Sequence, residues 1–308
     1  MSERRLLVVV GPTASGKTEL AVQLCEKLGG EIVSADSVQV YRQFDCGTGK
    51  PTADERARAT HHLVDILDPL ETIDAAGWAE RAESTLSLVR QRGKIPIICG
   101  GSFLWVRALL YGLAEAPAAS PEIRQRHREM VEAEGRAALH AQLMQADPVC
   151  AARLNPNDFV RVSRALEVFE LTAIPMSRWQ AEHGFREQKH PFELLGVHRE
   201  RDELDERIAA RTTQMLESGW INEVRNLVAR GFEPARAMGS VGYRQVQEAI
   251  TRGDWNLSSL RDSIIRGTRV FVRRQRTWLR DEPVRWIRPL NFNELLDEAA
   301  TRRFEFGE

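Results

Sequence analysis

Residues 11 to 18 read GPTASGKT. They stand between an apolar run, LLVVVG at 6 to 11, and a segment from Lys17 to Leu28 whose apolar residues recur every three or four positions. Buried strand, glycine-rich turn and helix in that order form the setting in which G-x-x-x-x-G-K-[ST] closes backbone N–H groups on phosphate oxygens. Gly11 and Gly16 let the backbone approach the anion, Pro12, Thr13, Ala14 and Ser15 span the turn, Lys17 supplies a positive charge, and the Thr18 hydroxyl can ligate Mg²⁺. The plain alternative is an ordinary glycine turn ahead of a helix, and the full motif in this setting favours a cradle for the diphosphate of a small ligand. A lookalike, GTGKP at 47 to 51, lacks the spacing and a following helix and reads as a loop.

Strand-like runs recur at EIVSAD (31 to 36), HLVDILD (62 to 68), IPIICGG (95 to 101) and ELLGVHR (193 to 199), each short, apolar and ended by polar or glycine residues. With helical patterns between them, notably Lys17 to Leu28 and Ala75 to Arg92, they predict an α/β fold: a P-loop NTPase-like, mostly parallel sheet flanked by helices. Pro117, Ser120 and Pro121 mark a break, with Ser120 placed as an N-cap and Pro121 at the first helical position. The pattern stays helical to about Pro191. Residues 117–191 are therefore expected to form an inserted all-helical domain, and residues 1–116 and 192–308 the core. Beyond Asp202 a helical C-terminal region is expected, in segments near 202–218, 220–230, 240–252 and 257–280.

With 43% apolar and 28% charged residues in 308, the chain can bury a sizeable core. No window reaches about 18 uninterrupted apolar residues, and Met1 to Arg5 run straight into a strand pattern, so neither a membrane span nor a signal peptide is expected and the location is expected to be cytoplasmic. Cys25, Cys46, Cys99 and Cys150 lie far apart without a C-x-x-C pair, which predicts buried apolar fillers and no zinc site or disulfide framework.

An NTPase with this loop normally carries an acidic residue at the end of another buried strand, to hold Mg²⁺ and a water. The best such strand, IPIICGG, ends instead in Gly100 and Gly101. Asp65 and Asp68 are possible substitutes, although an aspartate before proline often forms a turn. The second strand ends in Asp36, which the topology would bring to the same carboxyl edge as the phosphate loop. There Asp36 could act as a base, or simply as a turn former or helix cap. The adjacent His61 and His62 would point to opposite faces of a strand, and His127, His140, His183, His190 and His198 lack ligand spacing.

The net charge of -1 hides an uneven distribution: residues 1 to 120 hold 13 basic and 15 acidic side chains, whereas 261 to 288 hold nine arginines against Asp262, Asp281 and Glu282. Arg266, Arg269, Arg273, Arg274, Arg276 and Arg280 recur at mostly three- and four-residue steps with no acid between, and Ile264, Ile265, Phe271, Val272, Trp278 and Leu279 are expected to form the opposing apolar stripe. Such a helix could line a domain interface. Beside a phosphate loop it suggests a nucleic acid as second substrate.

Taken together, GPTASGKTELA, EIVSADSVQVYRQFDCGTGKP, HHLVDILDP, PIICGGSFLWVRALLYGL, NDFVRVSRALEVFELT, VGYRQ and GTRVFVRRQRTWLR resemble the tRNA dimethylallyltransferase family, also called tRNA isopentenyltransferase, over nearly the whole chain. The resemblance implies transfer of a dimethylallyl group from dimethylallyl diphosphate to N6 of the adenosine 3′ of the anticodon, with Mg²⁺ assisting and diphosphate leaving. It implies Asp36 as general base, Ser102 as a hydroxyl near the transferred group and Arg211 beside Lys17 on the leaving diphosphate. It implies contacts to the anticodon stem-loop from Asp36, Ser37, Val38 and Gln39, from Ser102 and Arg124, and from Val160, Arg161, Val162, Ser163 and Arg164. Further contacts are implied for Gly239, Ser240, Val241, Gly242, Tyr243 and Arg244, and for Gly267, Thr268, Arg269, Val270, Phe271, Val272, Arg273 and Arg274, with Gln39 as the base reader. Where the family usually has GGT and then tyrosine, this chain has Ser102 and Trp105, which bears on the donor channel. The chain ends at Glu308 without the zinc finger of eukaryotic relatives, suggesting a compact bacterial type, expected to be monomeric. The competing activity is that of a P-loop small-molecule kinase, with Asp36 as base for a hydroxyl acceptor; a nonenzymatic RNA-binding switch is the third reading.

Overall fold

The computed structural model describes residues 4–253 and 255–307; the expected core span also includes Met1–Glu3, Asp254 and Glu308, which lie outside the described residues. Strands β1 (Leu6–Val10), β2 (Gly30–Ala35), β3 (His61–His62), β4 (Ile95–Gly100), β5 (Phe192–Val197) and β6 (Val284–Ile287) form one sheet in the order β3-β2-β4-β1-β5-β6. Every pairing is parallel, with Val10 level with Gly100 and Gly196, so the carboxyl ends of β2, β4, β1 and β5 open on one edge. Helices α1 (Lys17–Leu28), α2 (Ala53–Arg58), α3 (Ala75–Gln91) and α4 (Phe103–Tyr111) connect the first strands. All five residues of β1 are buried. Each fully buried valine or leucine stabilises the fold by about 1.5–3 kcal/mol before entropy is counted, which is why strands covered on both faces read as unbroken apolar runs.

Three elements differ from expectation. The third strand shrinks to two residues because Leu63 and Asp65 take left-handed backbone (φ 60 and 58), which ends the ladder. GTGKP is indeed followed by a helix, the short α2, whose N-cap Thr52 and Glu55 make a reciprocal capping box. The region after Asp202 is not all helical: β6 adds a sixth strand along β5. Its sequence, VRWI, hides the strand, because at a sheet edge only Ile287 is buried while Arg285 and Trp286 face solvent.

The chain divides into two compact units, one built from the stretches ending at Leu110 and beginning at Lys189, the other spanning Tyr111–Gln188. The second is all helical: α5 (Pro121–Glu134), α6 (Arg136–Ala146), α7 (Pro148–Arg153), α8 (Phe159–Thr172) and α9 (Met176–His183). It has its own core around Leu139, Leu143, Cys150, Val162 and Leu166. Ser120 caps α5 by accepting from the Ile123 amide, with Pro121 opening the helix. In the first unit α10 (Arg201–Glu217), α11 (Trp220–Ala229), α12 (Tyr243–Arg252) and α13 (Leu257–Leu279) lie between β5 and β6, and α14 (Phe292–Thr301) and α15 (Arg303–Phe306) follow β6. Phe292, Leu295, Ala299 and Phe306 join the core that β1 and α1 form. Among the described residues no helix is long and apolar enough to cross a membrane.

Candidate functional site

The loop after β1 takes the shape its glycines allow. Gly11 (φ +153) leaves the strand, and Gly16 (φ +98) begins α1 in left-handed backbone; α1 has no side-chain cap, so its first amides are free to meet an anion. Ala14 is also left-handed, at φ 65, and arginines satisfy the outward-turned carbonyls: Arg207 Nε donates to Ala14 O (2.8 Å) and Arg199 Nε to Ser15 O (2.6 Å). Gln275, buried on α13, fixes the other flank. Its Oε1 accepts from the Thr13 amide (2.9 Å) and its Nε2 donates to Gly101 O (3.2 Å), bracing the loop against the end of β4. A Cβ on Gly101 would lie 2.5 Å from that Nε2 and would push the Gln275 amide off its present bonds. No sequence motif marks Gln275, Arg199 or Arg207 as parts of the loop's frame.

A groove of about 590 Å³ opens at the loop, lined by Gly16, Lys17 and Thr18, by Cys46, Gly49 and Lys50, and by Arg207, Arg211 and Met215. Burial pushes the Lys17 ammonium below its ordinary value; Arg211 beside it adds to the shift, while Cys99 and Asp36 oppose it. Burial likewise lowers the Arg211 guanidinium, against the pull of Asp36. Lys17, Asp36 and Arg211 are thus within electrostatic reach of one another. Gly49 makes room for the arginine: at φ +60, a Cβ there would stand 1.7 Å from Arg211 Nη2. Among the described residues no group of three His, Cys, Asp or Glu side chains could hold a metal ion. The Thr18 hydroxyl makes no hydrogen bond to a described residue, and Mg²⁺ characteristically takes one or two protein oxygens and fills the rest with phosphate and water. One free hydroxyl beside a cationic groove fits that pattern.

A second cavity, about 350 Å³, adjoins the groove; Arg211 and Met215 line both. Its polar wall is Thr13, Asp36, Ser37, Ser102 and Gln275, and its apolar wall includes Ile208, Trp220, Val241, Ile264 and Phe271. Asp36 forms a turn and keeps one carboxylate oxygen open. Its Oδ1 accepts from the Val38 (2.9 Å) and Gln39 (3.3 Å) amides, forming the turn after β2, while Oδ2 has no partner among the described residues. Ser102 Oγ accepts from the Ser37 amide (2.9 Å), which leaves its proton free to donate into the cavity. Trp105 does not line this cavity; it is buried, stacked on Trp78 at 5.3 Å between centroids.

Other positions named from the sequence fall differently. Gln39 spends its amide internally, Oε1 accepting from Ser34 Oγ (3.2 Å) and Nε2 donating to Thr48 O and Gly49 O (2.8 Å to the latter). Tyr243 is fully buried; its hydroxyl donates to Glu223 Oε1 and accepts from the Gly47 amide (3.1 Å), while Gly242 packs on Trp220. Gly239, Ser240, Val241 and Thr268 line the cavity, and Arg244 is exposed. Phe271 leaves the expected apolar stripe of α13 and turns to the cavity, with Gln275 buried in the stripe instead. Val270 and Phe271 are partly exposed and Val272 is buried; Gly267 meets Gln245. On α13 Arg269 pairs with Asp205 and Arg276 donates to Arg199 O, whereas Arg266, Arg273, Arg274 and Arg280 make no ion pair with a described residue. In the helical unit, Val162 and Ser163 are buried, Ser163 bonding His127, and Val160 and Arg161 are exposed. Arg124 and Arg164 converge on the buried carboxylate of Glu167.

Asp65 holds Lys50 and Arg56, and Asp68 pairs with Arg42; neither lines the groove at the phosphate loop. His62 binds Glu31 and His61 Nδ1 donates to Ala59 O. Cys25, Cys99 and Cys150 are buried as expected; burial pushes the Cys99 thiol up to about 12. Cys46 departs from that expectation: it is partly exposed and lines the groove.

The sequence model of one family, IPP transferase, matches residues 39–282. A tRNA dimethylallyltransferase of Sorangium cellulosum is 61% identical over 92% of this chain and 90% of its own, and one of Geobacter sulfurreducens 44% identical over 96% and 95%. Among solved structures, the full-length tRNA isopentenylpyrophosphate transferase of Bacillus halodurans superposes with a TM-score of 0.72 at 33% identity, covering 98% of both chains. A eukaryotic dimethylallyltransferase acting on tRNA shares the fold, with a TM-score of 0.79 at 22% identity over 98% of this chain and 79% of that one.

Proposed function

This chain belongs to the IPP transferase family, and from that premise we propose that it is a tRNA dimethylallyltransferase. It transfers the dimethylallyl group of dimethylallyl diphosphate to N6 of the adenosine 3′ of the anticodon, releasing diphosphate. The observation that carries this reading is the junction of two spaces at Arg211 and Met215: a cationic groove at the phosphate loop and a cavity bearing Asp36 and Ser102. One space suits a diphosphate, the other an extruded base.

In this mechanism the adenine amine attacks the allylic carbon. The new N–C bond forms as the C–O bond to diphosphate breaks, the electron pair leaving with the diphosphate. The amine proton passes to Asp36 Oδ2, the oxygen not engaged by the turn. Ser102 donates its hydroxyl proton near the transferred group, and Lys17, Arg211 and the loop amides take up the charge that grows on the leaving oxygen. Thr18 would hold Mg²⁺, whose charge, when bound, offsets that of the diphosphate. Exposed arginines of α12, α13 and the helical unit, chiefly Arg244, Arg273, Arg274 and Arg161, contact tRNA phosphates and set its position. Because Gln39 is internally bonded, its part is to hold the 48–49 turn beneath Arg211. A cytoplasmic monomer is the expected form.

The kinase reading lacks support: Asp65 and Asp68, the acids that could have ordered a nucleotide's metal and water, are paired with Lys50, Arg56 and Arg42. Incubation with unmodified tRNA, Mg²⁺ and either labelled dimethylallyl diphosphate or γ-labelled ATP separates the two. Label entering tRNA only from the prenyl donor is expected; phosphoryl transfer from ATP with none from the prenyl donor would refute the proposal.

A further inference from the structure

The groove holds more positive charge than the loop motif accounts for. Helix α10 places Arg207 and Arg211 one turn apart, and both line the groove with Lys17. The acidic groups on the same wall are engaged elsewhere: Asp45 pairs with Lys50, Glu19 with Arg58, and Glu55 caps α2 through the Thr52 amide. Lys50 is further held by Asp65. Lys17, Arg207 and Arg211 make no ion pair with any described residue. Three partly desolvated cations repel one another unless an anion lies among them.

Arg207 differs from its neighbour Arg199. Both donate Nε to a loop carbonyl, but Arg199 also pairs with Glu203, so its charge is compensated. Arg207 keeps its charge, and its Nη2 lies 4.0 Å from the Cβ position of Gly16, at the mouth of the loop. Burial, with Arg199 adding to it and Glu203 opposing, holds its guanidinium below the ordinary value, although Glu203 makes its ion pair with Arg199 and not with Arg207.

We propose that Arg207 is a second arginine ligand of the diphosphate, gripping the anion with the outer edge of its fork while Nε straps the loop through Ala14 O. This rests on reading the groove as the diphosphate site. Its consequence is that binding the leaving group and holding the loop in shape depend on one side chain. The arginine fork permits this because Nε and the outer nitrogens point along different edges of one plane.

The test is calorimetric titration of inorganic diphosphate, with Mg²⁺, into the full-length protein and into Arg207→Lys, Arg207→Gln and Arg207→Met, with unfolding midpoint and tRNA affinity measured alongside. Loss of a charge-assisted contact is expected to weaken diphosphate binding about tenfold or more in the Gln and Met variants, while Lys keeps most of the affinity and tRNA affinity stays unchanged. Diphosphate binding by R207Q equal to wild type overturns the proposal. So does R207K falling to the level of R207M, which would reduce Arg207 to a loop strap. If R207M folds poorly, the Lys and Gln variants still decide. Failure of the enzymatic reading would look different, as wild-type protein that binds diphosphate but yields no prenylated tRNA.

Discussion

Asp36→Asn is the sharpest test at the scale of one residue. Asparagine Oδ1 can still accept the Val38 and Gln39 amides, so the turn survives while the proton acceptor disappears. Turnover should fall about 100-fold or more with tRNA affinity unchanged; single-turnover rates at wild-type level would remove Asp36 from the chemistry. Gly49→Ala probes the opposite case, a residue with no side chain. Its φ of +60 and the 1.7 Å clearance to Arg211 Nη2 mean that a methyl must displace the guanidinium. The backbone cost is about 1 kcal/mol, but the kinetic effect is expected to be larger, with a fall in kcat/KM for the prenyl donor; unchanged donor kinetics would show that Arg211 need not lie on this turn. The loop's own residues were legible from the spacing of their motif, and the position of Asp36 from its place at the end of the second strand. Gln275, Arg199 and Arg207 were not, because each reaches the loop across at least 184 positions of sequence and acts through a backbone atom that carries no residue signature.

At the scale of the element, α13 does two jobs on two faces. Leu260, Ile264, Ile265, Val272, Gln275 and Leu279 bury one side, and Arg266, Arg273, Arg274 and Arg280 stand on the other without ion pairs to described residues. A like-charged face lowers the stability of an isolated helix, and a bound polyanion would relieve that repulsion. Replacing Arg273 and Arg274 with alanine should weaken tRNA binding and flatten its dependence on salt by about 1 to 2 in log–log slope. An unaltered slope would mean that the face is only solvated. The helix was visible in the sequence because its period is long and regular, and its bounds came within a residue of those expected. Phe271 was misplaced on the apolar stripe, since period alone cannot distinguish a core from a cavity wall. The edge strand β6 was missed for a related reason: four residues with two exposed carry too little alternation to stand out.

At the scale of the whole molecule, the chain leaves and re-enters the α/β unit at nearly one point. The Lys189 amide donates to Leu110 O at 2.8 Å, so the two ends of the excursion from Tyr111 to Gln188 are hydrogen-bonded neighbours. The excursion carries a core of its own, in which Leu139 and Leu143 pack on Val162 and Leu166, and the sheet's core draws on β1, α1 and α14 without it. Two units with separate cores and adjacent crossing points can be parted at little loop-closure cost, since a few glycines span that gap. Joining Leu110 to Lys189 through a short Gly/Ser linker should therefore give a protein that unfolds cooperatively and binds diphosphate as the full chain does, because every residue lining the groove belongs to the α/β unit. Prenyl transfer to tRNA should be lost or fall steeply, because Arg124, Val160, Arg161 and Arg164 go with the insert. A linked core that does not fold would make the helical unit part of the sheet's stability, and one that still modifies tRNA at full rate would leave the insert without a part in RNA binding.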